Sequence, residues 1–196
     1  MDDAKRRRQA AIAGHRGDGA VAGELLTDDN PAVRATALGA LARAGMLGAA
    51  DVERALVDTD PTVRRRACEE AVGVVEVSLV PSLADTDSSV VEAAAWALGE
   101  RGATGATSDV VDALTPVARQ HADPLVREAA VAALGAIGDR RGLTAVLAAA
   151  SSDRPAVRRR AVVALAAFDG PEVDAALRAA LEDRDWQVRQ AAEDLL

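Results

Sequence analysis

A short pattern that returns along the chain constrains the fold most strongly. Its anchor is a valine that is followed four residues later by an alanine. The six anchors are Val33, Val63, Val90, Val126, Val157 and Val188. Successive anchors are 30, 27, 36, 31 and 31 residues apart. Self-similarity at such a period indicates stacked units, each too small to bury its own apolar faces.

The residues around each anchor predict a helix. Positions 0, +4 and +8, counted from the valine, lie on one helix face, and in the fourth copy they hold Val126, Ala130 and Leu134. Proline usually stands two residues before the anchor with an acid or amide before it, as in Asp123–Pro124. This pair marks an N-cap and the first turn of a helix.

A second apolar stripe, with a leucine seven residues before the valine, precedes four of the six anchors and predicts a first helix in each unit. We expect an all-α, right-handed α-solenoid of about six helix-turn-helix repeats, forming one domain over residues 1–196. Residues 4–14 predict a second helix without its first. Two irregularities are expected, a Gly/Thr-rich loop at Arg101–Ser108 and a kink at Pro116.

Composition narrows the classes of function. Thirty-one acidic and 23 basic residues give a formal net charge of −8, which disfavours nucleic acid as a partner. Cys68 is the only cysteine, so an intramolecular disulfide is excluded. The sequence predicts no signal peptide and no membrane span, and hence a cytoplasmic protein.

Catalytic patterns are absent from the sequence. His15 and His121 are the only histidines, and they lie in distant units. No His-x-x-x-His motif, Gly-rich phosphate loop or Ser/His/Asp pattern occurs. We therefore predict that the chain is not an enzyme and binds no metal and no cofactor.

The run DPLVREAAVAALG at Asp123–Gly135 resembles the short HEAT repeats named after phycobilisome lyases. VVEAAAWALGERG at Val90–Gly102 resembles another copy, and the resemblance covers nearly the whole chain. It implies the fold but not the function, because related repeats occur in bilin lyases, deoxyhypusine hydroxylase, alkylpurine DNA glycosylases and many scaffolds. The helical His-Glu metal motif of the hydroxylases is missing, and so are most aromatic residues of a glycosylase cleft.

The resemblance also implies a structural ladder, since aspartate and arginine pair within and between HEAT units. An arginine follows most anchors, and an aspartate lies six residues before several of these arginines. The ladder residues expected on this basis are Asp28 and Arg34, Asp58 and Arg64, and Asp183 and Arg189. Val91 replaces the arginine in the third copy, while His121 and Ser152 replace the acid in the fourth and fifth. The ladder is therefore expected to be weakest in the middle.

Second helices generally line the concave surface of an α-solenoid. Positions +2 and +6 are expected to face it, above a partly buried apolar floor at position +5. The candidate partner-binding residues are Trp96, Glu92, Glu69, Arg65, Glu128, Ala132, Arg159 and Val163. A central tryptophan with polar neighbours is typical of an interface hot spot, although Trp96 packed on adjacent helices is the alternative. Trp186 is expected to pack on its own turn.

These features predict a scaffold or adaptor that binds another protein or a peptide segment in a groove lined by the second helices. Two alternatives stay open at this point. One is a nucleic-acid-binding solenoid similar to the alkylpurine DNA glycosylases, and the other is a non-catalytic or lyase-like subunit of a larger complex.

Overall fold

The computed structural model describes residues 2–105 and 108–196, and within these ranges every regular element is helical. The predicted all-α repeat fold is thus confirmed. The chain divides into two compact units, Met1–Ala94 (unit 1) and Ala95–Leu196 (unit 2), which are described separately. The single domain expected over residues 1–196 stays a prediction.

Unit 1 contains five helices and the start of a sixth. They are α1 (Asp3–Arg16), α2 (Gly19–Glu24), α3 (Pro31–Arg43), α4 (Ala49–Leu56), α5 (Pro61–Glu70) and α6 (Ser88–Gly105). Helix α1 packs on α3 in the position of a second helix, and α3 in turn packs on α5. The second helices of this unit therefore contact one another in sequence order.

Unit 2 continues α6 and adds three helix pairs. Its further helices are α7 (Ser108–Gln120), α8 (Pro124–Ile137), α9 (Leu143–Ser152), α10 (Pro155–Ala164), α11 (Pro171–Ala180) and α12 (Trp186–Glu193). The pairs are α7 with α8, α9 with α10, and α11 with α12, and α10 contacts both α8 and α12. The second helices α8, α10 and α12 thus lie side by side.

Local signals place the second helices where the sequence predicts them. The side chains of Asn30, Asp60, Asp123 and Asp185 each accept a hydrogen bond from the backbone N–H two residues later, as N-caps do. All six anchor valines are at most 1% exposed, and the alanines at position +4 are fully buried. The apolar face predicted from positions 0 and +4 is confirmed.

Glycines inside second helices allow neighbouring backbones to approach closely. A Cβ added to Gly14 would lie 2.7 Å from the Cα atom of Ala40 in unit 1. In unit 2, a Cβ on Gly135 would lie 2.6 Å from the Cβ atom of Ala164. No real Cβ tolerates these distances, so the glycines set the spacing between helices.

Two expectations about irregular segments need correction. The first helix of the third repeat is only a 3₁₀ turn, Val80–Ala84, because the 27-residue interval before Val90 leaves no room for a longer helix. The segment Arg101–Ser108 is not a simple loop, since α6 breaks at Gly102, with φ of 58°, and resumes to Gly105. Residues 106 and 107 of the predicted loop lie outside the described residues. A kink was expected at Pro116, and helix α7 continues past this residue to Gln120.

Candidate partner-binding surface

Arginine–aspartate pairs join consecutive repeats through the turns before the second helices. Each arginine places Nε and Nη2 beside the two carboxylate oxygens of an aspartate 21–26 residues later. The pairs are Arg6–Asp28, Arg34–Asp58 and Arg64–Asp85 in unit 1, and Arg127–Asp153 and Arg158–Asp183 in unit 2. Such two-point pairs hold one repeat in a defined register against the next.

The pairing expected within a repeat takes a different form. Nη1 of Arg34 donates to the backbone carbonyl of Asp28 at 2.8 Å, whereas its Nε donates to the carboxylate of Asp58 at 2.8 Å. Nη1 of Arg189 likewise donates to the carbonyl of Asp183 at 2.7 Å. Carboxylates therefore pair with the arginine of the preceding repeat. Within a repeat, the arginine binds a main-chain oxygen.

The ladder is also more complete in the middle than the sequence suggested. The expected weakness in the fifth repeat is wrong, because Asp153, one residue after Ser152, takes the place of the acid and binds Arg127. In the described residues the arginine is missing only in the third repeat, where buried Val91 replaces it. His121 stands at the acid position of the fourth repeat, and its Nδ1 accepts the Asp123 N–H at 3.1 Å.

These contacts change the acid–base properties of the ladder. Hydrogen bonds from Arg158 lower the pKa of the Asp183 carboxyl, and those from Arg64 do the same for Asp85. For Asp28, the backbone N–H of Asn30 makes the largest contribution to the lowered pKa. Each carboxyl is therefore ionised in the folded chain at pH values where the unfolded chain has begun to bind protons.

This difference predicts a loss of stability in acid. Because the folded-state pKa values lie below those of the unfolded chain, the ladder contributes fully at neutral pH and weakens as the pH falls below about 5 and through the folded-state pKa values. We expect the Tm to fall by about 10 °C or more between pH 6 and pH 3 in scanning calorimetry. Asp183→Asn should show a smaller fall, since one titrating group is removed. A Tm that is constant over this range contradicts the prediction.

The second helices of unit 2 carry two adjoining depressions that share Val163. One has a volume of about 480 Å³ and lies along α10 and α12, where Arg159, Trp186 and Gln190 line it. The other, of about 360 Å³, lies along α8 and α10 and includes Ala132. We call this surface the α8–α12 groove. Along α8 the groove is lined by Ala132, Gly135 and Ala136, so its longer lining side chains come from α10 and α12.

The polar groups of the groove are unequally paired. Nε of Arg160 lies 3.4 Å from a carboxylate oxygen of Glu128, and Nε2 of Gln190 donates to Asp194 at 2.9 Å. The guanidinium of Arg159 has no partner among the described residues. Trp186 beside it is 64% exposed, and Val163 is 48% exposed. An unpaired cation thus stands next to two open apolar side chains.

The structure brings together some of the sequence-predicted residues. Arg159 and Val163 line one depression, and Ala132 and Val163 line the other. Trp96 is 45% exposed on α6, and it lines neither depression. In unit 1, Arg65 forms an ion pair with Glu69 at 3.0 Å, and Glu92 is exposed on α6.

Two expectations about this surface are wrong. The floor at position +5 is fully buried up to the fifth copy, so it offers no contact area to a partner. The residues concerned are Leu38, Cys68, Ala95, Val131 and Val162. Trp186 does not bury itself on its turn but lines the groove. The sequence did contain a signal for this site: Trp186 stands where four other repeats carry a proline.

No reactive centre stands out in the described residues. Cys68 is buried, and desolvation raises the pKa of its thiol to about 11, which leaves it protonated and unreactive at neutral pH. No group of three or more potential metal ligands lies together within the described ranges. Among the same residues, no helix has the length and apolar character that a membrane crossing requires.

Comparisons with known proteins agree with the repeat geometry. A family model described as HEAT repeats matches residues 111–196. The structure of YibA from Escherichia coli superposes with a TM-score of 0.72 at 20% identity, covering 95% of this chain and 73% of that one. No curated protein matches the sequence.

Two further solved structures have the same fold. The CpcE–CpcF complex of phycocyanin lyase from Nostoc matches with a TM-score of 0.62 at 23% identity, over 89% of this chain and 74% of that one. A designed armadillo repeat protein in complex with the peptide (KR)4 matches with a TM-score of 0.59 at 16% identity, over 96% and 95%.

The paired helices, the arginine–aspartate ladder and the fold of these neighbours define an α-helical repeat protein. More specifically, residues 111–196 match the model of the HEAT repeats, and the solved neighbours show that the chain shares the fold of helical repeat proteins.

Proposed function

We propose that this chain is a protein-interaction scaffold and that a partner protein or peptide segment binds in the α8–α12 groove. The observation that carries the proposal is the unpaired guanidinium of Arg159 beside the exposed side chains of Trp186 and Val163. Tryptophan and arginine are the residue types most enriched at interface hot spots. The fold adds support, since similar structures are described in complexes with a peptide or a protein.

The chemistry of the groove indicates what kind of segment fits. A carboxylate on the partner would neutralise Arg159, and an apolar side chain next to it would cover Trp186 and Val163. The short side chains of Ala132 and Ala136 would let the backbone of the segment approach α8. We therefore expect an acidic, amphipathic segment rather than a basic one.

A matched pair of tryptophan variants tests the location of the site. Trp186→Ala should weaken binding of a captured partner about 30-fold or more, because hot-spot truncations cost about 2 kcal/mol. Trp96→Ala removes a comparably exposed indole from α6 and should leave binding nearly unchanged. Affinity capture from the native cell followed by mass spectrometry supplies the partner, and titration calorimetry supplies the affinities.

Two controls make the result interpretable. Both variants should keep the melting temperature within a few degrees, as expected for exposed positions. Arg159→Glu should weaken binding in the same way as Trp186→Ala. If Trp96→Ala abolishes binding while Trp186→Ala does not, the partner site lies on α6 with Glu92, and the proposed groove is wrong.

The likeness to the CpcE–CpcF complex favours a second candidate, a lyase-like subunit that assembles with another repeat protein. Neither candidate assigns catalysis to this chain. Capture distinguishes them, because the second candidate requires a stable complex with another HEAT-type chain. The cytoplasmic location inferred from the sequence stays a prediction.

A further inference from the structure

The same run of five residues, Val-Arg-Arg-Arg-Ala, occurs once in each unit. It spans Val63–Ala67 in α5 and Val157–Ala161 in α10. In both copies the first arginine belongs to the ladder, where Arg64 and Arg158 each bind an aspartate of the next repeat. The second and third arginines stand at positions +2 and +3. The two runs therefore show the same pair of cations with different neighbours.

In α5 the second and third arginines share a carboxylate of their own helix. One oxygen of Glu69 accepts a hydrogen bond from Nε of Arg65 at 3.0 Å, and the other accepts one from Nη1 of Arg66 at 3.1 Å. Nη2 of Arg66 also lies 2.8 Å from a carboxylate oxygen of Glu70. Adjacent arginines of this run thus form a site that a single carboxylate can bridge with its two oxygens.

In α10 these carboxylates are missing. Val163 and Ala164 occupy the positions that the two glutamates hold in α5. The guanidinium of Arg159 has no partner among the described residues. Within the same residues Arg160 has only Glu128 of α8, and its Nε lies 3.4 Å from the carboxylate oxygen. Charge-assisted hydrogen bonds usually measure about 2.7–2.9 Å, so this contact is weak and leaves both cations available to a further carboxylate.

The two arginines of α10 reach the α8–α12 groove on either side of Val163. Arg159 lines the depression along α10 and α12, and Arg160 lines the one along α8 and α10. Val163 lines both depressions and is 48% exposed. It follows Arg159 by four residues and Arg160 by three, so the three side chains share one face of the helix. A carboxylate held by both arginines therefore has an apolar surface beside it.

We propose that Arg159 and Arg160 together bind one side-chain carboxylate of the partner, with one oxygen on each guanidinium. Val163 packs against an apolar residue next to that carboxylate, and Glu128 competes with the partner for Arg160. This contact rests on the proposed function, because it names the group that the partner places in the groove. The occupant is a segment of a partner protein in which aspartate or glutamate stands beside an apolar residue.

Placing the missing carboxylate on α10 tests the proposal. Val163→Glu puts a glutamate where Glu69 stands in the other run, so it should occupy both arginines and exclude an external carboxylate. Val163→Gln has nearly the same shape without the charge, and it is the matched control. The probe is a synthetic peptide of Leu-Glu-Ala repeats, acetylated and amidated at its ends so that it offers only side-chain carboxylates. Titration of the isotope-labelled full chain, followed by nuclear magnetic resonance of the arginine Nε–H groups, reports both affinity and location.

Val163→Glu is expected to bind the peptide about tenfold or more weakly than Val163→Gln, because only the charge differs between the two. Arg160→Gln should weaken binding by the unmodified chain about fivefold, and Glu128→Gln should strengthen it about twofold, since the competing carboxylate is removed. A peptide of Leu-Gln-Ala repeats should bind about tenfold more weakly than the glutamate peptide. Both variants at the half-exposed position 163 should keep the melting temperature within a few degrees.

Three results would overturn the proposal. The first is equal affinity of Val163→Glu and Val163→Gln for the glutamate peptide. The second is equal affinity of the unmodified chain for the glutamate and glutamine peptides. The third is peptide binding that leaves the Nε–H signals of Arg159 and Arg160 unchanged.

The captured partner separates failure of this contact from failure of the groove. If Trp186→Ala weakens its binding while Val163→Glu and Val163→Gln bind it equally, the groove stands and the carboxylate contact is wrong. If neither Trp186→Ala nor Val163→Glu changes its binding, the groove is wrong and the contact falls with it. Loss of binding in Trp186→Ala and Val163→Glu, with more binding retained in Val163→Gln, supports both proposals.

Discussion

Replacement of Arg158 by alanine is expected to lower the free energy of unfolding by about 3–5 kcal/mol, the usual cost of removing one partner from a buried pair. The Arg158 side chain is only 4% exposed, and it binds both carboxylate oxygens of Asp183 at 2.8 and 2.7 Å. Its Nη1 also binds the carbonyl of Asp153 at 2.7 Å. Truncation leaves a carboxylate with reduced access to water and no counter-charge.

Denaturant titration at low micromolar protein concentration measures this effect. Arg189→Ala is the matched control, because Arg189 makes the same carbonyl contact but has no carboxylate partner among the described residues. Its cost should be about 1 kcal/mol, that of one hydrogen bond. In a double-mutant cycle, Arg158→Ala and Asp183→Ala together should cost less than the sum of the single changes. Equal losses for Arg158→Ala and Arg189→Ala would show that the carboxylate pair adds nothing to stability.

The second large effect is expected for Gly135→Val, at about 2–3 kcal/mol of lost stability. A Cβ at this position would lie 2.6 Å from the Cβ atom of Ala164 and 2.9 Å from its Cα atom. Because the obstacle is a neighbouring helix backbone, α8 and α10 must separate to make room. Overpacking of this kind costs free energy even though the new side chain is apolar.

Gly23→Val provides the control, since a Cβ added to Gly23 in α2 meets no atom within 4 Å apart from its chain neighbours and the backbone of its own helix. This variant should be neutral within about 0.5 kcal/mol. Combining Gly135→Ala with Ala164→Gly should recover only part of the loss seen with Gly135→Ala alone, because the Cα atom of residue 164 still lies 2.9 Å from the added Cβ. A Gly135→Val protein as stable as the original would mean that the close approach of α8 and α10 is not required.

The sequence alone determined most of the local structure. Val126 and Ala130 recur at fixed spacing in every repeat, and Asp123 with Pro124 marks the start of α8, so the buried face and the helix start follow from short-range rules. These signals act within one helix and one turn. They need no knowledge of the neighbouring repeat, which is why the structure bears them out.

Contacts between repeats were decided only by the tertiary structure. Spacing along the chain placed Asp28 near Arg34, but stacking gives Arg34 the carboxylate of Asp58, which the next repeat carries. The same stacking buries Val162 completely and leaves Trp186 open beside Arg159. A helical period states which side chains share a face but not how deeply the next helix covers that face. How deeply a face is covered depends on the distance between neighbouring helix backbones. Between α8 and α10 this distance is set by the close approach of Gly135 to Ala164.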